Sequence, residues 1–358
     1  MDHALRRERL DAHIAELGLD ALLVTRLPNV RYLTGFTGSN GQLLLTRDRA
    51  IFFTDGRYTE QSTQEVPDLE RVTYRDGFAA AVAEACGRLG VSRVGFEAEA
   101  LTYRLWEDLR REARGVELVP ADDEVARLRW VKDEQELGLI ARAQEAADRA
   151  FEEVVLSGLR RGTTERELAF ALELAMRRAG ADELGFPVIA AFGEHAAEPH
   201  HRPTDRPLRR GDVVKLDFGA LVDGYHSDMT RTVAFGEPPA RLREVRDVVA
   251  AAQRAGIRAV RAGSTSAEVD RAARSVIEEA GLADRFPHGL GHGVGLEIHE
   301  GPFLRWDGDD VLPAGAVVTI EPGVYIPSLG GVRIEDLVLV TEDGCREIPR
   351  STKELIVL

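Results

Sequence analysis

Four acidic residues at the ends of apolar segments are the first feature of this sequence that could do chemistry. Asp217 and Glu321 directly follow apolar runs, in KLDFG and TIEPG, and a second acid follows each of them at Asp228 and Glu335. A buried carboxylate without a partner is costly because loss of water favours its protonated form. Divalent cations remove that cost. A carboxylate-rich ligand set suits Mn²⁺, Fe²⁺ or Co²⁺ better than a structural zinc ion.

Histidines are concentrated in the same part of the chain, where they could complete a metal site. Of the nine histidines, all but two lie between residues 195 and 299. His292 is the preferred imidazole ligand because it stands in PHGLGHGVGLEIHE, whose glycines allow a close approach of the backbone. Two divalent ions about 3.5–4 Å apart can bridge a water, lower its pKa and hold it as a nucleophilic hydroxide. His195 is expected on the surface.

An internal duplication carries the acids and predicts how they are positioned. The pattern L-x-x-G-x-V-V-x-L-D-x-G at 208–219 recurs as L-x-x-G-x-V-V-x-I-E-x-G at 312–323, and residues 160–181 match 261–282. Two such copies, each with a helix and a strand pair, could form one curved antiparallel sheet. The helices would cover its outer face, and the four acids would meet at its centre.

Each copy also begins its helix with a capping-box pattern, in which hydroxyl and carboxylate stand three residues apart. The pairs are Thr164 with Glu167 and Thr265 with Glu268, and Gly180 and Gly281 are expected to end the two helices. The duplication therefore predicts two equivalent helices as well as two equivalent strand pairs.

The residues before the duplication alternate helix and strand patterns, which predicts a separate small α/β domain. Its expected helices cover 4–17, 77–89 and 100–113, and its expected strands cover 20–25, 42–46, 50–54 and 92–97. A long helix over 133–156 then opens the second domain. We place the boundary so that the domains are 1–127 and 128–358.

Composition excludes several classes of protein and partner. The chain has 46 Lys and Arg against 61 Asp and Glu, a formal charge of −15, which argues against nucleic acid as a partner. No run of about eighteen apolar residues predicts a membrane span. Cys86 and Cys345 are the only cysteines, and the first residues are charged where a signal peptide would be apolar. We therefore expect a cytoplasmic protein.

Several motifs, in this order, resemble those of a known family. LDFGALVDGYHSDMTRT, HGLGHGVGLEIHE, TIEPGVY and GVRIEDLVLV resemble the metal-site segments of the proline-specific metallopeptidases with the pita-bread fold. That family comprises Xaa-Pro aminopeptidases and Xaa-Pro dipeptidases, or prolidases. NVRYLTGFTGSN resembles its N-terminal creatinase-type domain. The resemblance implies an α+β chain in which a creatinase-like α/β domain precedes a pita-bread catalytic domain with a duplicated, curved antiparallel sheet.

The resemblance also implies roles for named residues. Two divalent ions, manganese first with cobalt or zinc as alternatives, would be held by Asp217, Asp228, His292, Glu321 and Glu335. His200 and His299 would stabilise the tetrahedral intermediate, and Glu321 could shuttle a proton. The remaining groups, which would contact the substrate or support the site, are His288, Arg333 and His201. The doubled histidine leaves open whether His200 or His201 acts.

The expected function is hydrolysis of the N-terminal Xaa-Pro bond of short peptides by an Xaa-Pro aminopeptidase. One alternative is an Xaa-Pro dipeptidase, in which Arg333 or Arg57 could bind the C-terminal carboxylate of the substrate. A methionine aminopeptidase and a metal-free creatinase-like protein are further alternatives. The N-terminal domain disfavours the first, and retention of all five ligands disfavours the second. The resemblance also implies a homodimer.

Overall fold

Two units make up the chain, residues 1–129 and residues 130–358, in a computed structural model that describes residues 1–121 and 124–358. The first unit holds a six-stranded mixed sheet with the order β4-β3-β2-β1-β5-β6. Its strands are β1 Ala21–Val24, β2 Gln42–Thr46, β3 Ala50–Asp55, β4 Glu70–Tyr74, β5 Arg93–Glu97 and β6 Glu117–Ala121. Its helices are α1 His3–Glu16, α2 Leu27–Thr34, α3 Thr59–Glu65, α4 Phe78–Leu89, α5 Tyr103–Glu112 and α6 Glu124–Leu128.

The predicted elements of this unit are confirmed, and the two strands that were missed lie at the edges of the sheet. The central strands β1, β2 and β3 bury continuous apolar runs, which is the signal that sequence periodicity detects. The unpredicted strands β4 and β6 lie at the two edges of the sheet, where most of their residues are exposed or half-buried and no continuous buried apolar run marks them. The short helix α2 has a proline in its first turn and ends at a left-handed glycine.

Four helices cover the sheets of the second unit, and three of them begin with a capping box. They are α7 Glu134–Phe151, α8 Glu165–Arg178, α9 Ala240–Ala259 and α10 Ser266–Glu279. The predicted boxes at Thr164 and Thr265 are both present, and Asp133 makes a third with Glu136. Helix α7 continues into a single π-helical turn over Glu152–Leu156. The duplication therefore does supply two equivalent helices, α8 and α10.

The strands of the second unit repeat the same order in each copy. The first copy forms a sheet of β8 Ile189–Phe192, β9 Asp212–Phe218 and β12 Met229–Phe235, with β9 in the centre. The second copy forms a sheet of order β14-β13-β15-β18-β19, from β13 Gly291–Gly293, β14 Glu300–Leu304, β15 Val317–Ile320, β18 Asp336–Val340 and β19 Cys345–Glu347. Short strands complete the unit: β7 Glu183–Leu184, β10 Ala220–Val222, β11 Tyr225–His226, β16 Gly323–Ile326 and β17 Gly330–Arg333.

The expected curved antiparallel surface is thus built from one sheet per copy, and the two copies meet at the acids. The backbone N–H of Glu335, just before β18, donates to the carbonyl of Thr230 in β12 over 3.2 Å. Apolar cores lie beneath each sheet, with Phe151 stacked on Phe218 in one and Ile277 and Ile320 in the other. No helix in the described part of the chain is long and apolar enough to cross a membrane.

Candidate metal centre

A cavity of about 460 Å³ in the second unit brings the predicted site residues together. All five expected metal ligands line it: Asp217, Asp228, His292, Glu321 and Glu335. The other predicted site residues also line it: His200, His201, His288, His299 and Arg333. The two sequence copies therefore contribute side chains to one concave site.

Asp217 is held at the end of β9 by a buried arginine. The Oδ2 atom accepts a hydrogen bond from the guanidinium of Arg333, while Oδ1 is buried and has no hydrogen-bond partner in the described part of the structure. Burial raises the pKa of the Asp217 carboxyl, and Arg333 only partly opposes that rise. A buried carboxylate oxygen without a hydrogen-bond partner is a position that a cation would satisfy.

Asp228 and Glu335 are the two acids of the cavity whose negative charges are most disfavoured. Both are nearly inaccessible to solvent. Burial raises both pKa values well above their usual range, and repulsion from neighbouring carboxylates raises them further. One hydrogen bond relieves Glu335, since the Thr230 hydroxyl donates to its Oε2 over 2.6 Å. With no cation present, both acids would be driven towards their neutral forms.

His292 presents one ring nitrogen to these acids. Its Nδ1 lies 3.1 Å from the carbonyl oxygen of Gly293, and because a carbonyl only accepts, Nδ1 carries the proton. In a neutral imidazole, the lone pair of Nε2 then faces Glu321 Oε1 at 3.3 Å and Asp228 Oδ2 at 3.7 Å. A lone pair opposite two carboxylates is repulsive unless a cation lies among them.

These observations fit a pair of divalent cations. Asp228, His292 and Glu335 each offer a ligand atom, and the three atoms lie within 4.8 Å of one another. Asp217 adds an unpartnered oxygen, and Glu321 supplies a further carboxylate. Because oxygen atoms dominate this set, it matches Mn²⁺-like or Co²⁺-like ions better than ions that prefer sulfur.

The structure distinguishes the two adjacent histidines. The His200 side chain is exposed and has no hydrogen-bond partner among the described residues. His201 is buried, with Nδ1 2.7 Å from Glu198 Oε2 and Nε2 2.9 Å from Glu165 Oε2. Of these two histidines, His200 is therefore the one whose imidazole can meet a substrate in the cavity.

His299 lies across the ring of His292. The two ring centroids are 4.3 Å apart and the planes are nearly perpendicular. Burial lowers the pKa of His299, and the neighbouring His292 lowers it further. A neutral imidazole at this position can donate a hydrogen bond without bringing a second positive charge to the site.

Arg333 and His288 are joined by a tyrosine hydroxyl. The hydroxyl of Tyr325 lies 2.9 Å from His288 Nε2 and 3.1 Å from Arg333 Nη1, and burial raises the pKa of Tyr325 to about 12. Arg333 also donates to Thr230 Oγ1 over 2.9 Å. Both predicted substrate-binding groups thus have protein partners at the wall of the cavity.

Sequence reasoning missed several supporting residues. Lys215 donates to the carbonyl of Glu198 and, over 3.2 Å, to that of Pro199, and so holds the loop before His200. Burial, with a smaller effect from Arg333, lowers the pKa of Lys215 to about 6. The spacing offered a signal for this residue, because Lys215 stands two positions before Asp217 and shares its side of β9. Thr230 likewise follows Asp228 by two positions.

Glu165 and His195 gave no such signal. His195, expected on the surface, is partly buried because its Nδ1 lies 2.9 Å from the fully buried carboxylate of Glu165. Burial raises the pKa of Glu165, but hydrogen bonds from Thr204, His201 and Phe192 outweigh burial, and the pKa is lowered overall. In the sequence, Glu165 is only the first residue of a capped helix.

Comparisons with known proteins cover both units. The family described as "Metallopeptidase family M24" matches residues 138–342, and the "Creatinase/Prolidase N-terminal domain" matches residues 6–131. An uncharacterized peptidase of Bacillus subtilis, YqhT, is 41% identical over 99% of this chain and 100% of its own length.

Two solved structures are similar over almost their whole length. The Xaa-Pro dipeptidase from Bacillus anthracis has a TM-score of 0.96 and 40% identity, covering 100% of both chains. The X-Pro aminopeptidase from Thermotoga maritima has a TM-score of 0.91 and 36% identity, covering 98% of this chain and 99% of its own. One of these two similar proteins is therefore named a dipeptidase and the other an aminopeptidase.

Proposed function

This chain belongs to metallopeptidase family M24, and from that premise we propose that it hydrolyses the bond between the N-terminal residue of a peptide and a following proline. As a member of that family with a creatinase-type N-terminal domain, it is a metal-dependent, proline-specific peptidase. The observation that carries the proposal is the convergence of five ligand-type side chains on one cavity. The family expected from the motifs is confirmed.

The metal centre is proposed to use the five residues predicted from the sequence, with manganese as the first choice. These are Asp217, Asp228, His292, Glu321 and Glu335. When bound, two divalent ions would activate a water molecule for attack and polarise the carbonyl of the bond to be broken. The charge of this ligand set supports the proposal, since it holds four carboxylates and the neighbouring buried cation, Arg333, bonds to only one of them.

Protein groups around the centre are proposed to handle the substrate. His200 and His299, which both line the cavity, would donate hydrogen bonds to the oxygen that becomes negatively charged. Glu321 would accept the proton lost by the nucleophile and deliver it to the proline nitrogen, which is a poor leaving group until it is protonated. The free amino group of the substrate would lie near the acids, which restricts cleavage to the first bond.

The chain is proposed to be an aminopeptidase, which also cleaves peptides longer than two residues. A dipeptidase, which cleaves dipeptides only, is the second candidate. Of the arginines proposed from the sequence to bind a substrate carboxylate, Arg57 is paired with Asp55 and Arg333 with Asp217. Arg202, which lines the cavity, is exposed and has no ion pair within the described ranges. A free guanidinium beside His200 could bind the C-terminal carboxylate of a dipeptide, and this favours the second candidate.

The testing experiment is hydrolysis, with added Mn²⁺, of a matched pair, the dipeptide Ala-Pro and the tripeptide Ala-Pro-Ala, with Met-Ala-Ala as the control. Cleavage of the tripeptide at its first bond would support the aminopeptidase. Cleavage of the dipeptide alone would favour the dipeptidase, and Arg202→Ala should then raise KM for Ala-Pro. Cleavage of Met-Ala-Ala alone would overturn the proline preference.

Two further proposals follow from the family. We propose a homodimer, which sedimentation of the purified protein would test directly against a monomer of 39.4 kDa. We also propose that chelation abolishes hydrolysis and that Mn²⁺ restores it. Activity that persists after complete removal of metal would favour the metal-free alternative.

A further inference from the structure

A second group of metal-binding side-chain types lies beside the cavity and shares no residue with the five proposed ligands. Glu165, at the start of α8, faces two imidazoles at once. Its Oε1 lies 2.9 Å from His195 Nδ1, and its Oε2 lies 2.9 Å from His201 Nε2. The two rings have their centroids 4.6 Å apart. One ligand atom from each residue lies within 4.8 Å of the others, so that one ion could reach all three.

The surroundings of His201 match those of a metal-bound histidine. Its Nδ1 lies 2.7 Å from the carboxylate of Glu198, an acceptor that fixes the proton on this nitrogen. The other nitrogen, Nε2, is then directed at Glu165. A carboxylate that orients an imidazole while the far nitrogen binds the ion is the usual outer arrangement of metal-binding histidines. Glu165 is itself held in place by the backbone N–H groups of Phe192 and Thr204.

The burial of the group allows an ion to enter from one side only. The Glu165 side chain is inaccessible and that of His201 is 5% exposed, whereas that of His195 is 29% exposed. The partly open ring of His195 would let an ion and one water reach the carboxylate. Two imidazoles and one carboxylate with a water make a four-coordinate set of the kind that zinc takes.

We propose that Glu165, His195 and His201 form a third metal site, which binds one Zn²⁺ or a similar imidazole-preferring divalent ion. Imidazoles outnumber carboxylates in this site, whereas four carboxylates accompany one imidazole in the proposed set of the cavity. Without an ion, the carboxylate of Glu165 accepts hydrogen bonds from His195, from the Thr204 hydroxyl and from the backbone N–H groups of Phe192 and Thr204. With an ion, His201 is fixed by coordination, and the loop that carries the neighbouring His200 is restrained with it.

The first test measures Zn²⁺ bound per chain by equilibrium dialysis and elemental analysis. We compare the wild-type protein with two variants, His195→Ala and His13→Ala. The second is the control, because His13 pairs with Glu124 at a more exposed position and this pair includes no second histidine. We expect His195→Ala to bind one Zn²⁺ fewer than the other two proteins. Equal binding by all three proteins would overturn the proposal.

The second test removes the cavity ligands, so that the third site is read without the proposed function. The double variant Asp228→Asn/Glu335→Gln is titrated with Co²⁺, whose visible absorption is strong when it is four-coordinate. We expect one bound Co²⁺ with that absorption, and its loss when His195→Ala is added. Absence of tetrahedral Co²⁺ from a folded double variant would refute the third site. If that variant does not fold, the dialysis comparison decides alone.

Discussion

Two groups of buried acids in the second unit lie in different electrostatic surroundings. In the cavity, Asp228 and Glu335 repel each other, and burial raises both pKa values well above the usual range. At the start of α8, Glu165 is even less accessible, yet its pKa is lowered because hydrogen-bond donors surround it. Burial alone therefore does not mark a carboxylate as a metal ligand. What marks the cavity acids is burial without enough protein donors.

The duplication explains why the two groups differ. The cavity acids occur in both copies, as Asp217 with Glu321 and Asp228 with Glu335. Glu165 has no acidic counterpart, because the residue at its offset in the second copy is Ser266, which is buried with an unpartnered hydroxyl. The proposed metal centre thus uses both repeats, whereas the Glu165 group is a property of one repeat.

The largest expected effect comes from removing a charge in the cavity. Glu335→Gln should abolish binding of the metal pair and lower hydrolysis by about 10³-fold or more, since the ions supply several kcal/mol of transition-state stabilisation. Bound metal and kcat/KM should be measured on the same preparation. If the variant still binds both metals, Glu335 is not one of their ligands.

The same variant should have the opposite effect on the metal-free fold. Because the raised pKa of Glu335 means that its charge destabilises the folded chain, the neutral glutamine should make the metal-free protein more stable at pH 7. Denaturant unfolding with a chelator present measures this change. The metal-free wild type should itself gain stability as the pH falls through the raised pKa. A loss of stability in the variant would contradict the contrast with Glu165.

The next effect concerns the free imidazole at the cavity. His200→Ala should retain both metals but lower kcat by about 10²–10³-fold, the usual cost of losing one donor to a developing oxyanion. Elemental analysis and steady-state kinetics on Ala-Pro-Ala separate the two effects. His201→Asn should reduce kcat less, because both ring nitrogens of His201 already face carboxylates. The reverse order of the two variants would assign the role to His201.

A smaller effect, on stability, is expected at Glu165, whose carboxylate has hydrogen-bond donors on both oxygens. Glu165→Gln replaces an acceptor by an amide that cannot match every donor, and it should cost about 2 kcal/mol of stability at pH 7. The folded pKa of Glu165 is lowered, so its contribution is complete above the unfolded value of 4.5 and is lost as the pH falls. Unfolding at pH 7 and pH 3 measures this. Glu173→Gln, in an exposed pair with Arg177 on the same helix, is the matched control.

Sequence patterns predicted the repeated elements well because both copies obey the same rules. The apolar strand ending in an acid and the capping box each occur twice, which makes coincidence improbable, and β9, β15, α8 and α10 lie where they were expected. The contacts between distant segments were not predictable. Glu165 meets His195 and His201 from 30 and 36 residues away, and no local pattern encodes that approach.

The smallest expected effect tests whether the two repeats are equivalent outside the acids. Thr164→Ala and Thr265→Ala each remove one capping hydroxyl, and each should cost about 1 kcal/mol of stability. Only Thr164 precedes Glu165, so only Thr164→Ala should also weaken Zn²⁺ binding at the proposed third site. Unfolding free energies and Zn²⁺ dialysis on both variants measure the two effects. If Thr265→Ala weakens Zn²⁺ binding equally, the Glu165 group does not depend on its own repeat alone.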